Sequence, residues 1–419
     1  MLVNLVPISA LLFGSALLMF AGGVNGLILP VRGSLEGFSA FSLGLLGTGW
    51  AIGYVAGCLS VPRLVRRVGH IRSFTALAAL AAISILMSLL LITPYAWIPL
   101  RALSGFCFAG AAMIVESWLN ERTEQTARGR IFGLYTMINL GASTLGQLSL
   151  TLGRAEADTF FVLGAIVYCF ALVPLAISSS ASPKPLVAVK LDVKALWRNS
   201  PVAVFGILMV GMSNGAFGTL SAVYAGKVGL LVSGVALFVS VPIIAGAAAQ
   251  IPVGTLSDRL DRRKVLIGLA VLAAASDVLF LLLMPGSETI NLALVAVFGA
   301  PVFAMYPVIV AHANDHAAPG AFIQTSGGLL MVYGIGSIIG PLLAGWGMSV
   351  AGARGLFAVT LTAHVLIVLF ALWRMRVRAA VPEDQKGSFQ VSAPGRTITP
   401  ETAALAEPEE ETEQREEAA

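Results

Sequence analysis

Four ionisable side chains interrupt long apolar runs: Arg101, Glu116, Asp277 and His364. A charge inside an apolar segment is costly to keep and marks a functional hypothesis. At Arg101 a guanidinium can hold an anionic group or tune a nearby proton carrier; the plainer alternative is a side chain snorkelling outward. Asp277 is a proton-site candidate or a structural contact, and His364 leans toward the structural role. Two Asn-Gly pairs, Asn25-Gly26 and Asn214-Gly215, place an amide beside a residue that loosens a helix. Tyr306-Pro307 puts a phenol beside a kink. Polar interhelical packing is the alternative for all three. No phosphate-cradling Gly-x-x-x-x-Gly-Lys loop is present, which excludes ATP hydrolysis on this chain. The histidines at 70, 312, 316 and 364 have no metal-ligand spacing, and Cys58, Cys107 and Cys169 sit in apolar runs as packing residues. No catalytic constellation, cofactor, metal or nucleic-acid motif is expected.

The elements that position these residues follow from composition. The 419-residue chain is 57% hydrophobic and 11% charged, against roughly 25% charged in soluble domains. Lipid is the expected solvent, and a lipid-spanning backbone must satisfy its hydrogen bonds within each helix. Apolar runs fall at 7–29, 42–62, 73–93, 96–119, 131–152, 159–178, 201–223, 233–256, 265–284, 291–311, 322–347 and 355–373. They predict an all-α membrane protein of twelve transmembrane helices in two pseudo-symmetric six-helix bundles. The expected organisation is residues 1–178, a cytoplasmic linker at 179–200, residues 201–378, and a disordered acidic tail at 379–419. That tail carries three basic and ten acidic residues.

Loop charge sets the orientation. With a cytoplasmic N-terminus, 18 basic residues fall on inner loops and four (Arg32, Arg154, Lys227 and Arg354) on outer loops. Both termini are therefore expected inside a bacterial inner membrane. The halves carry matching marks in the same order: Asn25-Gly26 with Asn214-Gly215, Arg67-Val-Gly69 with Arg259-Leu-Asp261, Gly105 with Gly299, and Gly146 with Gly340. These offsets of 189 to 194 residues predict a duplication.

Gly254-Thr-Leu-Ser-Asp258-Arg259-Leu-Asp261-Arg262-Arg263 resembles the signature loop of the major facilitator superfamily, with Asp261 where that family usually has a second glycine. In the first half Arg66 stands at the usual Asp position, while Arg67, Gly69 and Arg72 remain. Arg101-Ala-Leu-Ser-Gly105 is similar to the family's fourth-helix Arg motif. Gly336-Ser-Ile-Ile-Gly340-Pro341 is similar to its Gly-Pro helix. Pro62-Arg63 through Arg72, Glu116-Ser-Trp-Leu-Asn120 and Ala311-His-Ala-Asn-Asp315 resemble the YcaD-like group of bacterial carriers. The resemblance implies a secondary active transporter working by alternating access, with a small-molecule substrate it does not name and protons as a candidate coupling ion. It also implies a cytoplasmic gate at Arg66, Arg67, Gly69, Glu116, Gly254, Asp258, Arg259 and Asp315. Glu116 and Glu121 are the expected partners of Arg66 or Arg67, and the alternative to a gate in the second half is plain inside anchoring by Arg262, Arg263 and Lys264. Asn25, Arg101, Asn214, Asp277 and Tyr306 are the substrate-path or coupling candidates, and a monomer is expected. A non-transporting sensor using the acidic tail is the alternative.

Overall fold

A computed structural model describes residues 6–123, 128–176, 192–284, 286–318, 321–379, 381–382, 386–387, 389 and 399–405. These residues form helices α1 (Val6–Leu35), α2 (Ala40–Val68), α3 (His70–Leu90), α4 (Pro94–Arg122), α5 (Arg128–Leu148) and α6 (Thr159–Ala176). A short α7 (Val193–Asn199) precedes α8 (Pro201–Lys227), α9 (Val232–Arg259), α10 (Arg262–Leu283), α11 (Glu288–Asn314), α12 (Phe322–Ala351) and α13 (Arg354–Val377). Pro400–Leu405 forms α14.

Among the described residues ten helices, α1 to α4 and α8 to α13, are long and apolar enough to cross a membrane. The remaining candidates differ for physical reasons. Helix α5 carries Arg128, Arg130, Asn139 and Gln147, and α6 offers only the shorter apolar stretch Thr159–Pro174. Several helices outrun the apolar segments that announce them. The first continues through Pro30 to Leu35; the fifth instead stops short, at Leu148, before a single 3-10 turn, Ser149–Leu152.

The chain divides into two compact units. Unit 1 comprises residues 1–37, 49–189 and 399–419; unit 2 comprises 38–48 and 190–398. Inside unit 1, α1 lies so close to α5 that a Cβ on Gly23 would meet the Ser143 carbonyl. A Cβ on Gly105 of α4 would likewise meet the Trp50 carbonyl of α2. Inside unit 2 the same approaches recur, Gly215 of α8 on Ser337 of α12 and Gly299 of α11 on Pro242 of α9. Small residues are what let membrane helices pack this closely.

The four pairs fix the register of the repeat. Gly23 to Gly215 and Trp50 to Pro242 are offset by 192 residues, Ser143 to Ser337 and Gly105 to Gly299 by 194. The sequence itself carries the same 192 in Leu77-Ala-Ala-Leu-Ala-Ala-Ile-Ser84 and Leu269-Ala-Val-Leu-Ala-Ala-Ala-Ser276. The Asn-Gly match at 189 is therefore not an equivalence. Asn25 corresponds to Phe217, and Asn214 to Gly22.

Gly336 and Gly340 complete the α8–α12 crossing. Their missing side chains leave room for the Leu208 and Met212 carbonyls. The early turns of α2 belong to unit 2: Gly44 lies against the Pro341 carbonyl, and Thr48 donates to the Ile338 carbonyl at 2.9 Å.

Candidate functional site

Among the described residues polar side chains collect at four places, two in each unit. In unit 1, Asn25 on α1 donates to Ser104 on α4 at 3.1 Å, both buried. The Tyr168 hydroxyl of α6 interacts with Asn25 and lies near the Arg101 guanidinium. Arg101 is itself buried at 7% exposure, so its side chain does not reach out to solvent. The equivalent of the Asn25–Ser104 contact in unit 2 is Phe217 against Phe298, with ring centroids 4.8 Å apart.

The second cluster in unit 1 surrounds Glu116, which has no exposed surface. Its carboxylate accepts from the Tyr135 hydroxyl of α5 at 2.6 Å and from the Thr399 hydroxyl. Tyr135 continues toward Asn139 and Ser15, which are joined at 2.7 Å. The expected pairing of Glu116 with Arg66 or Arg67 is not what the structure holds, because both arginines are exposed. The reason is reach: Glu116 sits on the buried face of α4, where the hydroxyl of α5 is nearer than the end of α2. The sequence offered no signal for Tyr135 or Asn139, whose partners lie far along the chain.

In unit 2 the superfamily-like loop is built around Arg262 rather than Arg259. Arg262 Nε lies 2.6 Å from Asp315, with both side chains at 2% exposure or less. Its guanidinium also reaches Asp258 at 3.3 Å and the Ser257 hydroxyl at 3.0 Å. Arg259 is exposed. Arg262 thus forms the ion pairs and is no plain anchor. It opens α10 and points back at the end of α9, whereas Arg259 sits on the outer face of the last α9 turn.

Asp261 explains its own departure from the family pattern. Its φ is −55°, so no glycine is required, and it caps α10 by accepting from the Arg263 backbone N–H at 3.0 Å. Burial pushes its carboxyl up, but hydrogen bonds and charge from Arg263 outweigh this and hold it below the ordinary carboxylate range. Gly69, its counterpart in unit 1, has φ 87°, a conformation that favours glycine.

The described tail residues of unit 2 also meet this loop; most of the expected tail at 379–419, and residues 179–191 of the expected linker, lie outside the described residues. Lys386 donates to the Leu260 carbonyl at 2.8 Å, Gly387 N–H to Asp315 at 3.1 Å and Phe389 N–H to Asp258 at 3.0 Å. The Phe389 ring occupies the space that a side chain on Gly254 would fill.

The last cluster lies in the second half of α10. Asp277 and His364, both without exposed surface, approach to 2.6 Å. Thr360 donates to Asp277 at 2.6 Å, and Ser213 lies 3.0 Å from His364 Nε2. Elsewhere in unit 2 the Tyr306 and Tyr333 rings of α11 and α12 meet edge-on at 5.5 Å. Asn214 is buried at 2% exposure, and neither atom of its amide has a hydrogen-bond partner. Among the described residues no group of three His, Cys, Asp or Glu gathers for a metal. Cys169 is exposed, unlike Cys58 and Cys107.

The sequence model described as "Major Facilitator Superfamily" matches residues 11–246 and 203–408. The chain belongs to the Major Facilitator Superfamily. An uncharacterized MFS-type transporter of Enterobacter sp. (strain 638) is 26% identical over 344 residues, covering 80% of this chain and 87% of the relative. The uncharacterized MFS-type transporter YcaD of Escherichia fergusonii is 25% identical over 342 residues, with the same coverage. Among solved structures, the nucleoside transporter NupG superposes with a TM-score of 0.74 at 15% identity, covering 88% of this chain and 98% of that one. A bacterial homolog of the human lysosomal transporter Spinster gives 0.72 at 16%, covering 91% and 98%. At such identities these two likenesses show the superfamily fold alone. The protein is a multi-pass bacterial inner-membrane transporter related to the YcaD-like carriers, in a superfamily of carriers rather than enzymes.

Proposed function

We propose that this superfamily member is a secondary active transporter of a small solute, with twelve spanning helices in two six-helix halves at residues 1–178 and 201–378. The halves alternate access to a central path, and α5 and α6 supply the two spans beyond the ten apolar ones. The observation carrying this reading is the repeated close packing, Gly23 on Ser143 and Gly215 on Ser337. A duplicated rigid unit is what a rocking carrier requires. Asn25, Arg101, Asn214 and Tyr306 line the solute path, and Asp277 belongs to the coupling apparatus. The unpartnered Asn214 amide offers a donor and an acceptor to a solute carrying both. The gate comprises Arg66, Arg67, Gly69 and Glu116 of the first half and Gly254, Asp258, Arg259 and Asp315 of the second, with Arg262 added from the geometry. Gly336, Gly340 and Pro341 hold α12 on α8. Both termini are cytoplasmic, as the 18-to-4 distribution of loop charges demands, and the carrier acts as a monomer.

The test is a metabolite and drug screen on deletion and overexpression strains, followed by flux of the responding compound into proteoliposomes with and without a pH gradient. Protein-dependent flux of at least one compound is expected; none across the screen contradicts the reading. A second reading, a sensor that keeps the carrier fold, draws on the tail contacts at Asp258 and Asp315. Truncation after Pro382 separates the two: a transporter keeps its flux, while a tail-dependent sensor loses its output.

A further inference from the structure

We propose that Asp277 and His364 form an exchangeable proton site inside unit 2, linked to helix α8 through Ser213. Asp277 Oδ2 and His364 Nδ1 are 2.6 Å apart. Thr360 Oγ1 donates to the other carboxylate oxygen at 2.6 Å, and Ser213 Oγ lies 3.0 Å from His364 Nε2. All four side chains are fully buried, and together they join α8, α10 and α13. The order Ser–His–Asp is that of a hydrolase triad, but with no exposed surface at Ser213 or His364 a substrate carbonyl has no approach. A proton needs none.

The duplicated half provides an internal control. At the offsets of the repeat, Asp277 corresponds to Ile85 and Ser213 to Ala21 (both 192), Thr360 to Gly164 and His364 to Tyr168 (both 196). The equivalence is physical, since a Cβ on Gly164 would touch the Ile85 side chain, just as Thr360 touches Asp277. The same three-helix junction is therefore built in unit 1 without a carboxylate–imidazole pair. A buried ion pair replaced by well-packed apolar residues is often neutral or stabilising, so packing gives no reason to keep the pair. Among the described residues no other charge forms an ion pair with it. The remaining charged side chains of these helices are Lys227, Arg262, Arg263, Lys264, Arg354, Arg374 and Arg376. Arg354 opens α13 six residues before Thr360 and ten before His364, and the others lie ten or more residues along their helices from the cluster, about 15 Å at 1.5 Å per residue. The neighbouring α11 contributes Phe298, its ring 6.1 Å from His364, and carries Glu288, Tyr306 and His312 toward its ends or on later turns. Tyr224 of α8 sits within the ring cluster of Phe280 and Phe357.

The proton count closes with one exchangeable proton. Loaded, the site is an Asp277 carboxylate beside a His364 imidazolium, net neutral, and Nε2–H donates to Ser213 Oγ. On release the Nε2 proton passes to Ser213 Oγ as the Ser213 hydroxyl gives up its own proton on the far side to water that enters when the junction opens. Carboxylate and neutral imidazole remain, with a net charge of −1. Nδ1–H stays on Asp277, while the Ser213 hydroxyl reverses and donates to Nε2. In the loaded state that hydroxyl hydrogen turns to a carbonyl of the preceding α8 turn, a common Ser geometry. Loading is thereby felt on α8 next to Asn214.

This inference rests on the transporter reading for its place in a cycle, but not for the binding itself, so the probe is the proton alone. Full-length protein labelled with 15N-histidine is titrated in lipid nanodiscs. Only four histidines are present, and His364→Gln assigns the resonance. His364 is expected to take up and release one proton in a single step, and Asp277→Asn is expected to alter that step through loss of the facing anion. The exchange Ser213→Ala, Asp277→Ile, Thr360→Gly, His364→Tyr, which rebuilds the junction of unit 1, should fold and lack the step. A His364 resonance that stays in one state across the whole pH range of the folded protein overturns the proposal, as does a step indifferent to Asp277→Asn. If His364 titrates while no solute moves in proteoliposomes, the transporter reading fails and the proton site stands. If solute moves and His364 is fixed, the proton site alone fails.

Discussion

Unit 1 and unit 2 place the same helices in the same register and furnish them with different chemistry. Where unit 1 has the Asn25–Ser104 hydrogen bond, unit 2 has the Phe217–Phe298 ring contact. Where unit 2 has the Asp277–His364 pair, unit 1 has Ile85 and Tyr168. The loops diverge as well: Arg262 in unit 2 holds two carboxylates, while its counterpart His70 lies with its ring 6.2 Å from that of Trp118. Duplication preserved the close glycine approaches, because those leave no room for substitution. The polar clusters, which do not set the backbone spacing, were free to separate.

The comparison can be broken at its strongest pair. Arg262→Ala leaves Asp315 and its acceptor oxygens without a countercharge, and should cost about 3–5 kcal/mol of stability, read as a lowered thermal midpoint in detergent. His70→Ala should cost less than half of that. Next come the crossings. Gly340→Val drives a side chain into the Met212 carbonyl and should cost about 1–3 kcal/mol or prevent folding. Gly146→Val, against the Phe20 carbonyl, should match it within a factor of two. Unequal effects would show that the two crossings are not the same device.

A smaller effect separates the loops. Gly69→Asp imposes a side chain on a φ of 87° and should cost about 1–2 kcal/mol. Asp261→Gly, at a negative φ, loses a cap and should cost only a few tenths from that source. The Asp261 carboxyl is held below its ordinary range, so its contribution is present above the unfolded carboxylate pKa near 3.9 and lost as pH falls through the folded value. Wild type and Asp261→Asn should therefore converge in stability in acid and differ near neutrality. The smallest expected effect is at the tail. Phe389→Ala frees Gly254 from the Phe389 ring and should raise the labelling rate of a cysteine placed at Gln250 severalfold, with little change in thermal midpoint.

Much of the architecture was legible because apolar runs interrupted by charged loops leave few alternatives in lipid. The ten apolar helices, the burial of Arg101, Asp277 and Asn25, and the family itself all follow from patterns local to a segment. What escaped depends on register between distant segments. The Asn-Gly pairs invited an offset of 189, whereas backbone packing at Gly23 and Gly215 requires 192. The Leu77–Ser84 and Leu269–Ser276 match carried that number in plain view. Arg262 was passed over for Arg259 because consecutive basic residues look alike until the helix boundary between them is known. Tyr135 and Thr399 were invisible as partners of Glu116, since a hydroxyl facing a carboxylate leaves no trace in spacing.

The claim that the units share packing but not chemistry is tested most directly by rebuilding the unit 1 junction in unit 2. The protein carrying Ser213→Ala, Asp277→Ile, Thr360→Gly and His364→Tyr is reconstituted, and flux of its screened solute is measured with and without a pH gradient. A thermal midpoint equal to or above that of the wild type, with solute exchange retained and the response to the gradient lost, is the predicted result. An unchanged gradient response would contradict the account, as would a collapse in stability showing that unit 2 cannot pack without its ion pair.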